Sequence, residues 1–541
     1  MCGIFCSVSK GSKACSEYNN CRPALQKRGP DINSLHETII NGYITQFSGN
    51  TLWIQGEFPT KQPFIDVNGN ILLWNGDVYK WKLPMNTCIK DSDTKIISDF
   101  LSNGGNFELL ISSIQGPYSI IYYDNSQKIL WAGRDPIGRI SLLWNLEKEK
   151  IIITSVGCKD VENLEEVPAI GLFKFDLKSN NLKPQLLKWT HSTLECEFSI
   201  TNELEYFKPV NSQKTILENS ILYKTTHLNM SDLLLDPGYN LNVSKLIHFL
   251  SQSIEKRSTI IPKACKLCNF KCDHAKVAIL FSGGIDSTVL AFLASKYVEP
   301  DEPIDLLNVS FEKLSDLNNY NGPDRQTCYD TLEELKILCP KRCWNLVEIN
   351  VPFNDLKQKR LDVIRHLIYP LKTVLDDSLG CSLWFASQGI GICNGKSYKT
   401  PARVLLSGMG ADELLGGYTR YRRILQRQGW EKLGEEFNND FFKLPSRNLG
   451  RDNRVCCDHG RQLRLPFLDE DLVEFVRDLM PWERCWPKEP YSNSFGEKLL
   501  LRLAAYKIGL IKTAFLTKRA MQFGSRIANK KENGNDLSDR L

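Results

Sequence analysis

The chain has 541 residues, of which 42% are hydrophobic and 24% are charged. This length exceeds what one hydrophobic core usually serves, so at least two domains are expected. The 68 basic and 63 acidic residues are spread along the chain and give a net charge of +5, which does not indicate a nucleic-acid partner. No apolar run is long enough for a membrane span, and the first residues show no signal segment. Together with 18 scattered cysteines, these features favour a reducing, cytoplasmic setting.

Residues 2–187 have a β-rich pattern, with short apolar runs such as "ILLWNGDVY", "YSIIYYD" and "IIITSV" separated by Gly, Asn and Asp. Residues 188–240 are poorer in pattern and are predicted to bridge two domains. From 241 to 528 helical spacing and continuous apolar strands alternate, which predicts a parallel sheet covered by helices on both faces. Residues 529–541 form a polar tail that is expected to be loose.

The sequence begins "MCGIF", which would make Cys2 the N-terminal residue after removal of Met1. A free α-amino group has a pKa of about 8 and a thiol one of about 8.5, so the amine can act as a base for its own side chain. Taken alone, Cys2 is more simply one of many cysteines that happens to stand second.

A glycine loop follows a predicted buried strand in "ILFSGGIDSTVL". Gly283 and Gly284 allow the backbone to approach a ligand, and the N-terminus of the following helix offers N–H groups to an anion. Ser282 and Ser287 add hydroxyl donors. Asp286 would repel bare phosphate unless it holds Mg²⁺ or caps the helix. The alternative is a tight strand-to-helix turn in which Asp286 is only the cap.

A second loop of the same kind follows the next strand in "VLLSGMGADELLGGY". Ser407, Gly408 and Gly410 repeat the close approach of the backbone, and Asp412 and Glu413 could hold a cation. Loops at the carboxyl ends of strands in one parallel sheet face the same crevice. The two loops are therefore predicted to form one ligand site.

"SGGIDS" resembles the pyrophosphate loop of the N-type ATP pyrophosphatases, and "LLSGMGADELLGGYTRYR" with "DHGRQLRLPFLDEDLVEFV" is similar to the synthetase domain of the asparagine synthetases. The resemblance implies a doubly wound α/β domain that uses ATP and Mg²⁺ to adenylate a carboxylate, expected to be that of aspartate, and releases pyrophosphate. Asp286 and Asp412 would bind Mg²⁺, and Lys518 or Arg519 would stabilise the adenylation transition state. The residues implied to contact ATP are Leu280, Ser282, Gly283, Gly284, Asp286, Ser287, Val309, Ser407 and Gly408.

The first half resembles a class II glutamine amidotransferase, a fold of the N-terminal nucleophile αββα type. The resemblance implies that Cys2 attacks the side-chain amide of glutamine and frees ammonia. Asn75 and Gly76 in "WNGDVY" would form the oxyanion hole, Asp93 in "DSDT" would hold the α-amino group of glutamine, and Asp77 stands in the same pocket where Glu is usual.

Four positions depart from the family pattern: Thr51 replaces an Arg that clamps the glutamine carboxylate, and Asp77, Met409 and Gln462 each stand where a Glu is usual. The leading hypothesis is an ATP-dependent, glutamine-using amide synthetase. One alternative keeps the adenylation but uses a different carboxylate or nitrogen donor, because Met409 can neither accept a proton nor carry charge. The other is a non-catalytic binding or scaffold protein that retains the fold.

"CKLCNFKC" places Cys265, Cys268 and Cys272 just before the first loop strand. C-x-x-C spacing is common among the ligands of structural zinc sites. Reduced cysteines without a metal are the simpler interpretation, because the resemblance implies no such site.

Overall fold

The computed structural model describes residues 2–10, 15–85, 91–179, 182–189, 194–197, 222, 229–261, 274–488, 495–528 and 533–541. The strands within these ranges are β1 (Gly3–Lys10), β2 (Ile32–Ile40), β3 (Tyr43–Thr51), β4 (Phe64–Ile65), β5 (Ile71–Gly76), β6 (Lys80–Trp81), β7 (Ile114–Gln115), β8 (Tyr118–Asp124), β9 (Ile129–Arg134), β10 (Leu143–Leu146), β11 (Lys150–Thr154), β12 (Glu165–Glu166), β13 (Gly171–Asp176), β14 (Gln185–Trp189), β15 (Leu194–Glu197), β16 (Val277–Leu280), β17 (Ile304–Phe311), β18 (Trp344–Val351), β19 (Ile390–Cys393), β20 (Lys396–Lys399), β21 (Val404–Leu406) and β22 (Gln462–Arg464).

The α-helices in the same ranges are α1 (Glu17–Arg28), α2 (Asp93–Ser102), α3 (Phe107–Ser113), α4 (Met230–Leu235), α5 (Pro237–Thr259), α6 (Ile285–Ala294), α7 (Pro323–Leu338), α8 (Phe353–Lys359), α9 (Arg365–Ile368), α10 (Val374–Gln388), α11 (Ala411–Leu415), α12 (Arg420–Leu444), α13 (Gly450–Cys457), α14 (Glu470–Asp478), α15 (Pro481–Arg484), α16 (Leu499–Lys507), α17 (Ile511–Ala514) and α18 (Met521–Gly524). Among these helices, none is both long and apolar enough to cross a membrane.

The first half consists of two antiparallel sheets with strand orders β12-β10-β11-β1-β3-β2 and β15-β14-β13-β9-β8-β5-β4. Alternation along β1 explains how they pack, because successive side chains point to opposite faces. Ile4, Cys6 and Val8 join the apolar cluster between the sheets, whereas Phe5 packs with Leu25 of α1 on the outer face. Helices α2 and α3 cover the outer face of the second sheet. The predicted αββα arrangement is confirmed.

The second half contains a sheet with strand order β20-β19-β18-β17-β16-β21-β22. Strands β18, β17, β16, β21 and β22 run parallel, and β19 and β20 form an antiparallel hairpin at one edge. Strand β17 is buried along its whole length because α7 and α10 both pack on it. The predicted doubly wound α/β fold is confirmed. The strand order reverses between β16 and β21, which is the position where such sheets bind ligands.

The two halves share a buried, polar boundary. Arg28 at the end of α1 donates to Asn453 Oδ1 of α13 at 2.9 Å. Arg139 donates to Glu470 Oε1 at 2.6 Å and to the Leu468 carbonyl at 2.8 Å. A buried arginine is stable only when its donors are satisfied, so these contacts fix how the halves meet.

The polar C-terminal residues are docked where the structure describes them, which differs from the loose tail that was expected. Val374 N donates to the Asp536 carbonyl at 2.9 Å, and Leu375 N donates to the Gly534 carbonyl at 3.0 Å. Arg540 lies 3.2 Å from the buried carboxylate of Asp377. Backbone hydrogen bonds and one ion pair hold this segment against the start of α10. The segment has no apolar pattern in its sequence from which this docking could be predicted.

Candidate functional site

Cys2 lies directly before β1, opposite the end of β5. Its backbone nitrogen donates to Asn75 Oδ1 at 2.9 Å. The Asn75 Nδ2 atom is buried and has no hydrogen-bond partner among the described residues. A buried donor without a partner is costly unless a ligand atom accepts from it. Asn75 therefore contacts the Cys2 backbone and keeps an N–H donor without a partner among the described residues, and the adjacent Gly76 lines the cleft.

The Cys2 thiol lies beside the side-chain amide of Gln62. Gln62 Nε2 lies 3.7 Å from Sγ, and its Oε1 accepts from Trp74 N at 2.7 Å, which fixes the amide. Burial raises the pKa of the Cys2 thiol above its ordinary value. The thiol therefore needs a nearby base to become nucleophilic. Its own backbone nitrogen would be that base once it is the N-terminal amine.

Two carboxylates form the acidic side of the same cleft. Asp77 accepts from Gln55 Nε2 at 2.8 Å and lies 3.3 Å from Arg464 Nε of β22. Asp93 accepts from Val78 N at 2.7 Å. Burial, and then the neighbouring Asp77, raise the pKa of Asp93 to about 7. This side of the cleft is suited to a ligand that brings an ammonium group.

Thr51 lies in the cleft without a cation beside it. Its hydroxyl donates to the Thr60 carbonyl at 2.9 Å, and the side chain is buried. The described residues that line the cleft include Gln462 from the second half but no Lys, Arg or His. Among the described residues that line the cleft, none replaces an arginine clamp at this position.

The two glycine loops lie side by side, as predicted. Strands β16 and β21 are parallel neighbours, with Ala278 opposite Leu405. A Cβ atom added to Gly408 would lie 2.8 Å from Cβ of Asp286, so the loops are in contact. Leu280 ends β16 and Val309 lies in the adjacent β17, both buried. The candidate ATP residues therefore meet at one crevice.

The first loop is built for close approach of its backbone. Gly283 has a φ of +73°, and an added Cβ would lie 2.6 Å from Cys328 N, so only glycine fits. Gly284 is the N-cap of α6 and receives no side-chain cap. Ser287 Oγ donates to the Gly284 carbonyl at 3.1 Å, and Ser282 Oγ accepts from Gly284 N at 3.2 Å. The alternative in which an aspartate caps the helix is wrong.

Asp286 instead pairs with Lys498, which the sequence analysis did not identify. Lys498 Nζ lies 2.7 and 2.6 Å from the two carboxylate oxygens of Asp286 and 2.7 Å from Asp412 Oδ1. Lys518 Nζ donates to the same Asp412 oxygen at 2.8 Å. Although burial opposes it, Lys498 and Lys518 hold the pKa of Asp412 well below its usual range. The two loops thus converge on two carboxylates and two ammonium groups.

Of the two late basic residues, Lys518 faces the crevice. Its Nζ lies 4.4 Å from the ring centroid of Tyr418, whose hydroxyl donates to Glu413 Oε1 at 2.5 Å. Arg519 instead donates to Thr327 Oγ1 at 3.2 Å.

The carboxyl group of Glu413 lies next to Asp412 in the second loop. Burial, and then the charge of Asp412, raise the pKa of Glu413 to about 7.

Asp286 and Asp412 fit a magnesium ion chemically. Carboxylate oxygens are the ligands that Mg²⁺ prefers, and both side chains are 27% exposed at the crevice. Ser407 is buried at the end of β21 beside them. Cys265, Cys268 and Cys272 lie outside the described residues, so the zinc hypothesis for them stays a prediction.

Gln62, Lys498 and Arg464 were missed because each acts across a long sequence separation. A charged residue directly before the apolar run "LLLRLAA" was the available signal for Lys498. A lysine that is buried because it adjoins an apolar helix requires a partner of opposite charge. Gln62 and Arg464 carry no comparable local signal.

Both halves of the chain match known protein families. A family model described as asparagine synthase matches residues 272–439 and 425–541, and one described as a glutamine amidotransferase domain matches residues 1–211. A protein of Acanthamoeba polyphaga mimivirus named probable asparagine synthetase (glutamine-hydrolyzing) is 24% identical, covering 98% of this chain and 86% of its own length.

Two animal relatives are more similar. Asparagine synthetase domain-containing protein 1 of Homo sapiens is 37% identical over 638 residues, covering 100% of this chain and 97% of that protein. Asparagine synthetase domain-containing protein CG17486 of Drosophila melanogaster is 38% identical over 587 residues, covering 100% of both. With these identities over its full length, the chain belongs to the family of asparagine synthetase domain-containing protein 1.

Proposed function

We propose that this protein is an ATP-dependent amide synthetase that adenylates the side-chain carboxylate of aspartate and transfers to it nitrogen released from glutamine. The observation that carries the proposal is the convergence of Asp286, Asp412 and Lys498 where the two glycine loops meet. Such a crevice offers backbone N–H groups, cations and metal-binding carboxylates to a triphosphate.

In the second half, the loop backbone and Lys498 would hold the phosphates of ATP. Bound Mg²⁺ would neutralise phosphate charge and orient the leaving group. A carboxylate oxygen of aspartate attacks the α-phosphorus, the bond to the bridging oxygen breaks, and pyrophosphate leaves. Lys518, whose Nζ lies 2.8 Å from Asp412, would stabilise charge that develops in this step. Attack by ammonia on the acyl carbon then releases AMP.

In the first half, the Cys2 thiol would give its proton to the N-terminal amine and attack the side-chain amide carbon of glutamine. Asn75 Nδ2, which is buried without a partner among the described residues, and the backbone of Gly76 would donate to the oxygen that becomes negative. The amine returns the proton to the leaving nitrogen, which departs as ammonia. Water hydrolyses the thioester to glutamate.

The direct test supplies purified protein with aspartate, ATP, Mg²⁺ and either ¹⁵N-amide glutamine or ¹⁵NH₄⁺. The expected products are ¹⁵N-asparagine, AMP and pyrophosphate in equal amounts. An Asp412→Asn protein should lose the reaction with both nitrogen donors, whereas Asp539→Asn, which changes a carboxylate in the C-terminal segment, should retain it. Absence of all three products from the unaltered protein would exclude the proposed reaction.

A related ligase that uses a different carboxylate is the second candidate. Met409 lies in the second loop and packs against the apolar core, so it offers no group to accept a proton from the attacking nitrogen. A panel of carboxylates tested for exchange of labelled pyrophosphate into ATP separates the candidates. Exchange with another acid and none with aspartate would establish this second function.

A non-catalytic protein that keeps the fold is the third candidate, favoured by Thr51, Met409 and Gln462. ATP binding measured by calorimetry without turnover of any substrate, together with normal cellular function of a Cys2→Ala protein, would establish it. A Cys2→Ala protein that loses function in cells would exclude it.

The KM for glutamine is expected to fall as the pH rises through about 7, because ionised Asp93 attracts the ammonium group of the substrate. Asp93→Asn should raise the KM and remove this pH dependence. Asp99→Asn, on the exposed part of α2, is the matched control and should leave the profile unchanged. A KM that is independent of pH in the unaltered protein would contradict the role given to Asp93.

The same carboxyl group should make stability depend on pH. Folded Asp93 keeps its proton up to about pH 7, whereas an aspartate in the unfolded chain loses it near pH 4. Between these values the folded state binds more protons, so the free energy of unfolding falls as the pH rises. Urea unfolding should show this fall in the unaltered protein and a smaller one in Asp93→Asn.

Alanine at the two adjacent glycines should have different effects. Gly283→Ala is expected to lower the free energy of unfolding by about 2–4 kcal/mol, because of its positive φ and the overlap with Cys328. Gly284 has a φ of −69°, and its added Cβ meets only the Ser282 hydroxyl, at 3.2 Å. Gly284→Ala should therefore fold normally but bind ATP weakly, as measured by urea unfolding and calorimetry. Equal ATP affinity in Gly284→Ala and the unaltered protein would contradict a phosphate site at this loop.

A further inference from the structure

A thiol, a carboxylate and an imidazole meet at the boundary between the two halves. Cys158 and Asp160 follow β11 in the first half, and His366 lies in the short helix α9 of the second half. Cys158 and His366 are 208 residues apart in the sequence. None of the three belongs to the Cys2 cleft or to the glycine-loop crevice.

The three ligand atoms are spaced like those of a metal centre. Cys158 Sγ lies 3.3 Å from His366 Nδ1 and 3.3 Å from Asp160 Oδ2. All three atoms lie within 4.8 Å of one another. Around a tetrahedral zinc ion with bonds of about 2.0–2.3 Å, neighbouring ligand atoms are about 3.3–3.6 Å apart. Two of the three separations already match without rearrangement of the backbone.

The Nδ1 atom of His366 faces this cluster. The backbone N–H of Lys159 lies 3.2 Å from Nδ1, and Arg365 Nε lies 3.4 Å from Nε2. A metal ion bound at Nδ1 would take the place of the Lys159 contact. A π-helical turn, Arg360–Ile364, directly precedes α9. Such turns are rare and occur frequently at functional sites. Asp160 is exposed and His366 partly exposed, which leaves a path for an ion to enter.

We propose that Cys158, Asp160 and His366 form a binding site for Zn²⁺ or a chemically similar transition-metal ion that links the two halves. A thiolate, an imidazole and a carboxylate suit Zn²⁺, whereas Mg²⁺ prefers oxygen ligands alone. On binding, the thiol releases its proton to solvent, and the thiolate and carboxylate together balance the charge of the dication. Water completes the tetrahedral coordination.

Titration with Co²⁺, followed by displacement with Zn²⁺, tests this site in the full-length chain. The parent protein for the test carries Cys265→Ser, Cys268→Ser and Cys272→Ser, which remove the thiols of the separate C-x-x-C segment. This parent is expected to bind one equivalent of Co²⁺ with a thiolate charge-transfer band, and Zn²⁺ should abolish the band. Absence of the band in the parent would overturn the proposal and leave a hydrogen-bonded trio without a metal.

Variants of the individual ligands, made in the same parent, identify the site. Cys158→Ser and His366→Gln should each lose the bound equivalent, and Asp160→Asn, which alters an exposed side chain, should weaken Zn²⁺ binding at least tenfold. Cys343→Ser removes an exposed thiol elsewhere and is the matched control. Retention of the band in Cys158→Ser, or its loss in Cys343→Ser, would place the metal elsewhere. These readouts do not depend on amide synthesis.

Discussion

A Cys2→Ala protein is expected to lose glutamine-dependent amide synthesis by about 10⁴-fold or more while it retains ammonia-dependent synthesis. The substitution removes the nucleophile but leaves the Asn75 donor and the second crevice unchanged. The measurement is the steady-state rate of amide formation with glutamine and, separately, with ammonium chloride.

Two further variants calibrate this result. Asn75→Ala should lower the glutamine-dependent rate by about 10²–10³-fold, the usual effect of one lost oxyanion donor. Cys343→Ser, at an exposed position, should leave both rates unchanged. An equal loss with both nitrogen donors in Cys2→Ala would mean that the substitution damages the fold. An unchanged glutamine-dependent rate would remove Cys2 from the mechanism.

Lys498→Met is expected to abolish adenylation and to destabilise the second half. Lys498 is 3% exposed and contacts both Asp286 and Asp412, so its removal leaves Asp286 without this ammonium group while Lys518 still contacts Asp412. Breaking a buried ion pair costs up to about 3–5 kcal/mol, and the partial exposure of the two carboxylates reduces this figure. Mg²⁺ should restore part of the lost stability, because it can take the place of the ammonium group between the carboxylates.

Pyrophosphate exchange and urea unfolding, each with and without Mg²⁺, measure these effects. Lys512→Met changes an exposed lysine in α17 nearby and should match the unaltered protein in both. Exchange at the normal rate in Lys498→Met would exclude the lysine from ATP binding. Equal stabilisation of both variants by Mg²⁺ would show that the ion does not bind between these carboxylates.

The sequence was sufficient for the layers and for the positions of the two loops. Apolar runs such as "KVAILF" and "IDLLNVSF" are local signals of strands buried on both faces, and Gly283 and Gly408 follow such strands directly. Because the strands pair in parallel, both loops lie at the carboxyl-end edge of the sheet, and this does not depend on the rest of the chain. The resemblance to the asparagine synthetases supplied what local patterns could not, namely the role expected of Cys2.

Contacts between distant segments could not be predicted in this way. Lys498 reaches Asp286 across 212 residues, and His366 reaches Cys158 across 208. The C-terminal segment docks through backbone groups of Gly534 and Asp536. Every residue carries such groups, so the sequence pattern of side chains does not indicate these contacts. Such contacts depend on the whole fold, and a single sequence carries no signal for them beyond an unpaired charge in an apolar surrounding.

Exchange of labelled pyrophosphate into ATP tests most directly whether the two loops hold ATP for attack at its α-phosphorus. We expect exchange that requires Mg²⁺ and aspartate, needs no nitrogen source, persists in Cys2→Ala and disappears in Lys498→Met. Formation of ADP and phosphate, or no exchange with any carboxylate by protein that binds ATP, would contradict it.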